Sequence, residues 1–133
     1  MSRIIIFDTN FLLIPLRFGL DIFEESEKAV NQKLVFAVVP QILEEIEKLK
    51  SNASPSLLKD LCFVDKVLER CVLLNEIIYP NENVDESLIR IASEKGFIVA
   101  TTDSELRKRL RKNNVDIIIL RQKSYLEFIG KRN

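Results

Sequence analysis

The sequence predicts an α/β domain built on a mostly parallel sheet that is buried on both faces. Three observations carry that expectation. Four short apolar runs recur along the chain, Ile4 to Phe7, Leu34 to Val39, Phe97 to Ala100 and Ile117 to Leu120, and runs of that length without polar alternation read as strands covered on both sides. Between them lie longer segments with helical periodicity, and strands that alternate with helices build a parallel sheet. The chain has 133 residues, 47% of them hydrophobic, which suits one domain with one core and is too apolar for disorder. No repeat, low-complexity tract or linker divides it.

Ile4 to Phe7 forms the first strand; Asp8 and Asn10 interrupt the apolar run too early for a signal peptide. Asp21 opens a helix whose apolar members are Ile22, Phe23, Ala29 and Val30. After the second strand, Pro40 suits a helical first turn and opens a helix through about Lys50, with Ile42, Ile46 and Leu49 on one face. Ser54-Pro55-Ser56 opens a third, striped by Leu57, Leu61, Val64, Leu68 and Cys71. Val72 to Asn75 is a candidate short strand, and Tyr79 to Asn83 reads as a loop. Asp85 begins a helix ending at Gly96, and a last helix spans roughly Ser104 to Asn113.

Composition narrows the chemistry. There is no histidine, which excludes Ser-His-Asp and Cys-His machinery, an imidazole base and any His-containing zinc site. Cys62 and Cys71, nine positions apart on one helix, point to opposite sides and do not suit a bridge. They read as reduced thiols of a cytoplasmic protein. No stretch approaches the ~20 apolar residues of a membrane span. Twenty basic residues balance twenty acids, so a polyanion partner must be argued from local clustering.

Helical geometry separates acids near buried surfaces from solvated ones. At ~100° per residue, Glu45 flanks the stripe of Ile42 and Ile46 while Glu44 points nearly away. Asp85 lies in line with Leu88 and Ala92, and Asp103 with Leu106 and Leu110. Asp8 directly follows a buried strand. Asp8 and Asp103 both follow strands, and open α/β sheets bind ligands beyond the carboxyl ends of their strands. If the four acids meet, each pair ~5 Å apart repels by about 3 kcal/mol at an effective dielectric near ~20. Such a cluster must protonate or hold a cation. With oxygen ligands only, that cation is Mg²⁺ or Mn²⁺. A plainer reading stands beside this one: Asp85 and Asp103 are ordinary capping residues, Thr102 with Glu105 suits a capping box, and Glu45 suits a solvated helix face.

The four acids, in this order and context, resemble those of the PIN-domain nuclease family. The matching pieces are Ile4-Ile5-Ile6-Phe7-Asp8-Thr9-Asn10, Val39-Pro40-Gln41-Ile42-Leu43-Glu44-Glu45-Ile46, Asp85-Glu86-Ser87-Leu88-Ile89-Arg90-Ile91-Ala92, and Ile98-Val99-Ala100-Thr101-Thr102-Asp103 with Leu106. The resemblance covers nearly the whole chain. It implies a three-layer α/β/α fold around a parallel sheet of about five strands, and a metal-dependent endoribonuclease. It also implies Asp8, Glu45, Asp85 and Asp103 as metal ligands, with Asn10 and Thr101 supporting them. Glu44 and Glu45 compete for the second acid, and the wheel favours Glu45. Within the family, Ala100 to Arg109 and Ile117 to Arg121 look most like the ribosomal-RNA-processing branch of small PIN proteins, while VapC-type toxins share the four acids. The partners implied are RNA, a second copy of the chain, and a ribosome-assembly factor or an antitoxin.

An acidic pocket repels a nucleic acid, so affinity for the strand needs cations elsewhere. Arg107, Lys108, Arg109, Arg111 and Lys112 place five positive residues in six just after Asp103. Arg121, Lys123, Lys131 and Arg132 extend the patch. The competing reading is a solvated helix face with favourable charge near its C-terminus. Two rival classes remain: a binding module of the same fold that does no cutting, and a phosphotransfer domain using Asp8. The second would want further acids at Asn10 or just ahead of Asp8, and neither pattern is present.

Overall fold

The computed structural model describes residues 2–75 and 79–130. Its six strands are β1 (Arg3–Phe7), β2 (Leu34–Val38), β3 (Val72–Leu73), β4 (Ile98–Ala100), β5 (Ile117–Arg121) and β6 (Tyr125–Ile129), in the sheet order β3-β2-β1-β4-β5-β6. The first five pair in parallel and β6 runs antiparallel to β5. The expected mostly parallel sheet is present. Ile5, Ile6 and Phe7 are fully buried, as are Ile98, Val99 and Ala100, which is why these runs show no polar alternation.

β6 is the strand that the expected count of about five lacks. Its sequence Tyr-Leu-Glu-Phe-Ile is only partly buried, and the turn before it carries no Asn-Gly or Gly signal of the usual hairpin. Gln122 and Lys123 instead take positive φ values of 51° and 56°, a conformation that composition does not announce.

Six helices complete the chain: α1 (Ile14–Phe18), α2 (Ile22–Val30), α3 (Pro40–Ser51), α4 (Pro55–Leu68), α5 (Val84–Lys95) and α6 (Ser104–Lys112). A 3₁₀ turn, Thr9–Leu13, leads from β1 into α1, in a stretch to which the sequence pattern assigns no element. α3 packs on α4 and α4 on the 3₁₀ turn, while α5 packs on α6 and β4. Right-handed crossovers place those two groups on opposite faces. Within α4 the buried positions are Leu61, Val64 and Val67, and Leu57 and Leu68 of the expected stripe are half-buried; Cys71, also half-buried, lies beyond the helix end at Leu68. Leu49, expected on the inner face of α3, stands 40% exposed in its last turn. Both cysteines are free, and burial pushes the Cys71 thiol up to about 11. Among the described residues no helix is long and apolar enough to cross a membrane.

The helix starts revise one expectation. α5 begins at Val84 and is capped by Asn83, whose side chain accepts from Glu86 N while the Glu86 carboxylate accepts from Asn83 N. Asp85 therefore sits inside the first turn, with no capping duty of its own. α6 is capped by Asp103, which accepts from Glu105 N at 2.9 Å and Leu106 N at 3.2 Å. The expected Thr102–Glu105 capping box does not form, because Asp103 occupies the cap position.

The topology sets up one crevice. From β1 the chain moves outward to β2 and β3, then crosses back to β4 on the opposite side of β1. Strand order thus reverses between β1 and β4, and their carboxyl ends face the place where α/β sheets bind ligands. The Phe7 ring stacks between Phe11 and Phe36, with centroids 5.4 and 5.6 Å away. That packing fixes the end of β1, and with it the residue that follows.

Candidate active site

Asp8 is that residue. Its backbone N–H donates to Ala100 O at 3.0 Å, which carries the β1–β4 ladder one step past both strands. The residue is 9% exposed. One carboxylate oxygen accepts from Thr9 N at 2.9 Å and the other from the Thr101 hydroxyl at 3.0 Å. Burial nevertheless raises the carboxyl above its ordinary value, against the lowering effect of both hydrogen bonds, and the charges of Asp85 and Glu45 push the same way. Among the described residues no cation pairs with it.

Two of the other acids, Asp85 and Glu45, lie near enough for their charges to act on Asp8, and Asp103 acts on Asp85. Asp85 is half-buried, and its carboxyl is raised by burial and then by the charge of Asp103, against the opposing charge of Arg109. Glu45 is half-buried on α3 while Glu44 is exposed, as the helical wheel predicts. Asp103 is exposed at the start of α6, and the Thr101 hydroxyl accepts from its N–H at 3.0 Å. The result is a run of like charges, Glu45 and Asp85 each felt by Asp8, and Asp103 felt by Asp85. Among the described residues no three acids stand close enough to form a closed metal cage. A Mg²⁺-type ion takes one or two carboxylates and keeps several waters, so this open arrangement of hard oxygen donors fits such an ion.

Beside the acids lies a cleft of about 450 Å³, lined on its polar side by Asn10, Thr101 and Asp103. Arg17, Arg107 and Lys123 also reach it, with Phe18 and Leu120 among its apolar walls.

The sequence pattern of the PIN-like domain family matches residues 5–123. This chain belongs to that family. The PIN domain is 33% identical over 125 residues to Ribonuclease VapC4 of Methanocaldococcus jannaschii, spanning 92% of this chain and 94% of that protein. It is 30% identical over 111 residues to the human rRNA-processing protein FCF1 homolog, spanning 81% of this chain and 52% of that one. The chain thus covers about half the length of its FCF1 relatives. Among solved structures, the PIN domain endonuclease Utp24 superposes with a TM-score of 0.77 at 20% identity, covering 98% of this chain and 96% of that one. VapBC2 from Rickettsia felis, bound to a promoter DNA fragment, superposes with a TM-score of 0.62 at 14% identity, over 89% and 99% of the two chains. These likenesses establish the fold.

Around the acids the PIN domain carries a polar relay that residue patterns do not reveal. Glu82 accepts from Arg90 at 2.6 and 2.8 Å and from the Ser87 hydroxyl at 3.0 Å. Ser87 in turn accepts from Gln41 Nε2 at 3.2 Å, and the Arg90 guanidinium lies 4.3 Å from the Tyr79 ring centroid. Hydrogen bonding from Arg90 holds the Glu82 carboxyl down at about 2. Gln41 is one turn before Glu45, and Ser87 is two residues after Asp85, so the relay joins the helices that carry those two acids. Each spacing is visible in the sequence; the contact between the helices is not.

The basic helix divides by partner. Arg111 donates to the carbonyls of Val115, Ile129 and Gly130 at 3.0 to 3.3 Å and approaches Asp116 at 3.9 Å. That departs from its expected place in an RNA-facing patch, because its donors hold the β5–β6 edge. Lys108 lies 3.9 Å from Glu105, and Arg121 pairs with Glu127 at 2.6 Å. Arg107 faces the cleft, and Arg109 and Lys112 line the groove between α5 and α6. Lys131 and Arg132 lie outside the described residues. Arg17 and Phe18 escape sequence reasoning because α1 is too short for a periodic pattern.

Proposed function

We propose that this PIN domain is a divalent-metal-dependent endoribonuclease that hydrolyses RNA phosphodiester bonds through Asp8, Glu45, Asp85 and Asp103. The observation that carries the reading is Asp8: a buried carboxylate with no cation partner among the described residues, placed at the sheet's switch point with two further acids raising it. A protein does not keep an uncompensated buried charge without cost. The full-length match to a ribonuclease supports the same reading.

In this reading Asp8, Glu45, Asp85 and Asp103 line a site where one or two of the carboxylates would hold Mg²⁺ or Mn²⁺, and the bound ion would supply an activated water and offset charge on the phosphate. Thr101 fixes Asp8 by donating to one of its oxygens and fixes the start of α6 by accepting from Asp103 N. Among the described residues each Asp8 oxygen accepts one hydrogen bond and so keeps lone-pair capacity. Asn10 stands at the mouth of the cleft, where it can orient a phosphate or water. Arg107 offers a charge to the strand, since the acids alone would repel it.

The test is cleavage of a labelled oligoribonucleotide with Mg²⁺ or Mn²⁺, against Asp8→Asn and Asp103→Asn. Asn caps a helix as well as Asp does, so Asp103→Asn removes the charge while keeping α6 in place. Loss of cutting in both variants supports the site; full activity in both ends it. A role in rRNA processing draws on the FCF1 relatives, and a toxin role with an antitoxin partner draws on the closer identity to VapC4 over its full length. Induced expression separates them: growth arrest that depends on Asp8 favours the toxin, and unimpaired growth with trimming of precursor rRNA favours processing.

A further inference from the structure

The cleft beside the acids differs from the rest of the charged surface. Arg17, Arg107 and Lys123 line it, and among the described residues none of the three pairs with an acid, whereas Lys108, Arg111 and Arg121 all do. They come from three separate elements, α1, α6 and the β5–β6 turn, so no single helix face explains their meeting. Phe18 lines the same cleft, a large apolar side chain left 37% exposed at the end of α1. α1 can stop there because Gly19 adopts φ 67°, a conformation that suits glycine. Ile14, Ile119 and Leu120 floor the same cleft.

An exposed aromatic ring among unpaired cations is the arrangement that binds a nucleotide strand, with a base on the ring and phosphates on the charges. Asn10, Thr101 and Asp103 form the polar wall of this cleft, so a nucleotide seated there adjoins the acidic centre. We propose that Phe18, with Arg17, Arg107 and Lys123, forms a subsite that holds one unstacked base flanking the phosphate to be cut. Paired bases stack on each other and cannot offer a face to Phe18, so the subsite selects an unpaired nucleotide at that place. This inference rests on the endoribonuclease reading for its placement, but its binding test does not require cutting.

The experiment measures equilibrium binding of a fluorescein-labelled uridine hexamer and of a ribose-phosphate hexamer lacking every base. The full chain carries Asp8→Asn to prevent turnover, and Mg²⁺ is present throughout. Removing the bases should weaken binding about tenfold, the size of one base–aromatic stack. Phe18→Ala should weaken the uridine hexamer by a similar factor and erase most of the difference between the two probes. Phe18→Trp should keep it. Arg17→Gln and Lys123→Gln should each reduce the slope of log affinity against log salt by about one, while Phe18→Ala leaves that slope unchanged. Equal affinity for both hexamers, or a base effect undiminished by Phe18→Ala, overturns the subsite, as does failure of the Asp8→Asn chain with Phe18 intact to bind either. The base–Phe18 coupling without cleavage by the chain that retains Asp8 leaves the subsite standing and removes the nuclease reading. Cleavage without the coupling does the reverse.

Discussion

The Thr101 hydroxyl donates to Asp8 at 3.0 Å across 93 positions of sequence and accepts from Asp103 N at the same distance. One buried side chain thus joins the residue that ends β1 to the residue that starts α6. Thr101→Val keeps the shape and removes both bonds, leaving a buried carboxylate oxygen without its donor. The expected cost is about 1–3 kcal/mol, the penalty of an orphaned buried polar group. Thr101→Ser should recover most of it. Urea unfolding of the three chains checks this, and equal midpoints for Val and Thr would show that the hydroxyl carries no strain of the site.

Asp8 makes stability depend on pH in an unusual direction. Burial raises its carboxyl above the ordinary 3.8, so the folded state favours the protonated form. The stability this contributes is present below the ordinary value and is lost as pH rises through the raised one. Asp8→Asn stays neutral throughout. Any pH-independent effect of altered hydrogen bonding cancels in the comparison. The variant should therefore gain on the native chain as pH climbs from ~3 to neutral, and relief of the Asp8–Asp85 repulsion acts in the same direction. Mn²⁺ at a hundredfold excess over its dissociation constant should stabilise the native chain by about 2.7 kcal/mol and the variant by much less. Thermal melts over pH, with and without Mn²⁺, provide both readings; a flat difference would mean that Asp8 is not desolvated.

The difference between what was legible and what was not is physical. Ile4 to Phe7 and Ile98 to Ala100 could be read because strands buried on both faces lack polar alternation, and Asp8 stood out by interrupting one. Glu45 separated from Glu44 because a helix has a fixed period. β6 was hidden because an edge strand is half-exposed and its turn adopts positive φ without glycine. The cap of α5 lies two residues before Asp85, the expected one, because Asn83 and Asp85 are both good caps, and only the reciprocal bonds of Asn83 and Glu86 decide between them. The Gln41–Ser87–Glu82 relay depends on how α3 meets α5, which no local pattern encodes.

That relay sets the separation of the two helices that carry Glu45 and Asp85. Glu82→Gln keeps the size of the side chain and removes the charge that Arg90 grips. Misplacement of a reacting group by about 1 Å can cost up to a hundredfold in rate. The expected signature is a fall in kcat with little change in KM, because Glu82 does not line the cleft. The native ion pair should persist well into acid: its stabilisation is present above the ordinary 4.5 of Glu82 and is lost as pH falls through about 2. A KM effect without a kcat effect would place Glu82 on the substrate path instead.

Arg111 and Arg107 are four positions apart on α6 and should respond to mutation in opposite ways. Arg111 spends its guanidinium on the carbonyls of Val115, Ile129 and Gly130, beside the buried Asp116. Charge-assisted hydrogen bonds of this kind contribute about 1.5–3 kcal/mol, so Arg111→Ala should lower the unfolding free energy by about 2 kcal/mol. Its donors are occupied by the β5–β6 edge, so the salt dependence of RNA binding should not change. Arg107 pairs with no acid among the described residues and faces the cleft. Arg107→Ala should leave stability within about 0.5 kcal/mol and flatten the salt dependence by about one phosphate contact. Measuring unfolding and RNA affinity on both variants tests the division. If Arg111→Ala weakened RNA binding at unchanged stability, the five-residue basic run would act as one surface, and the clamp on β6 would not be what holds that edge.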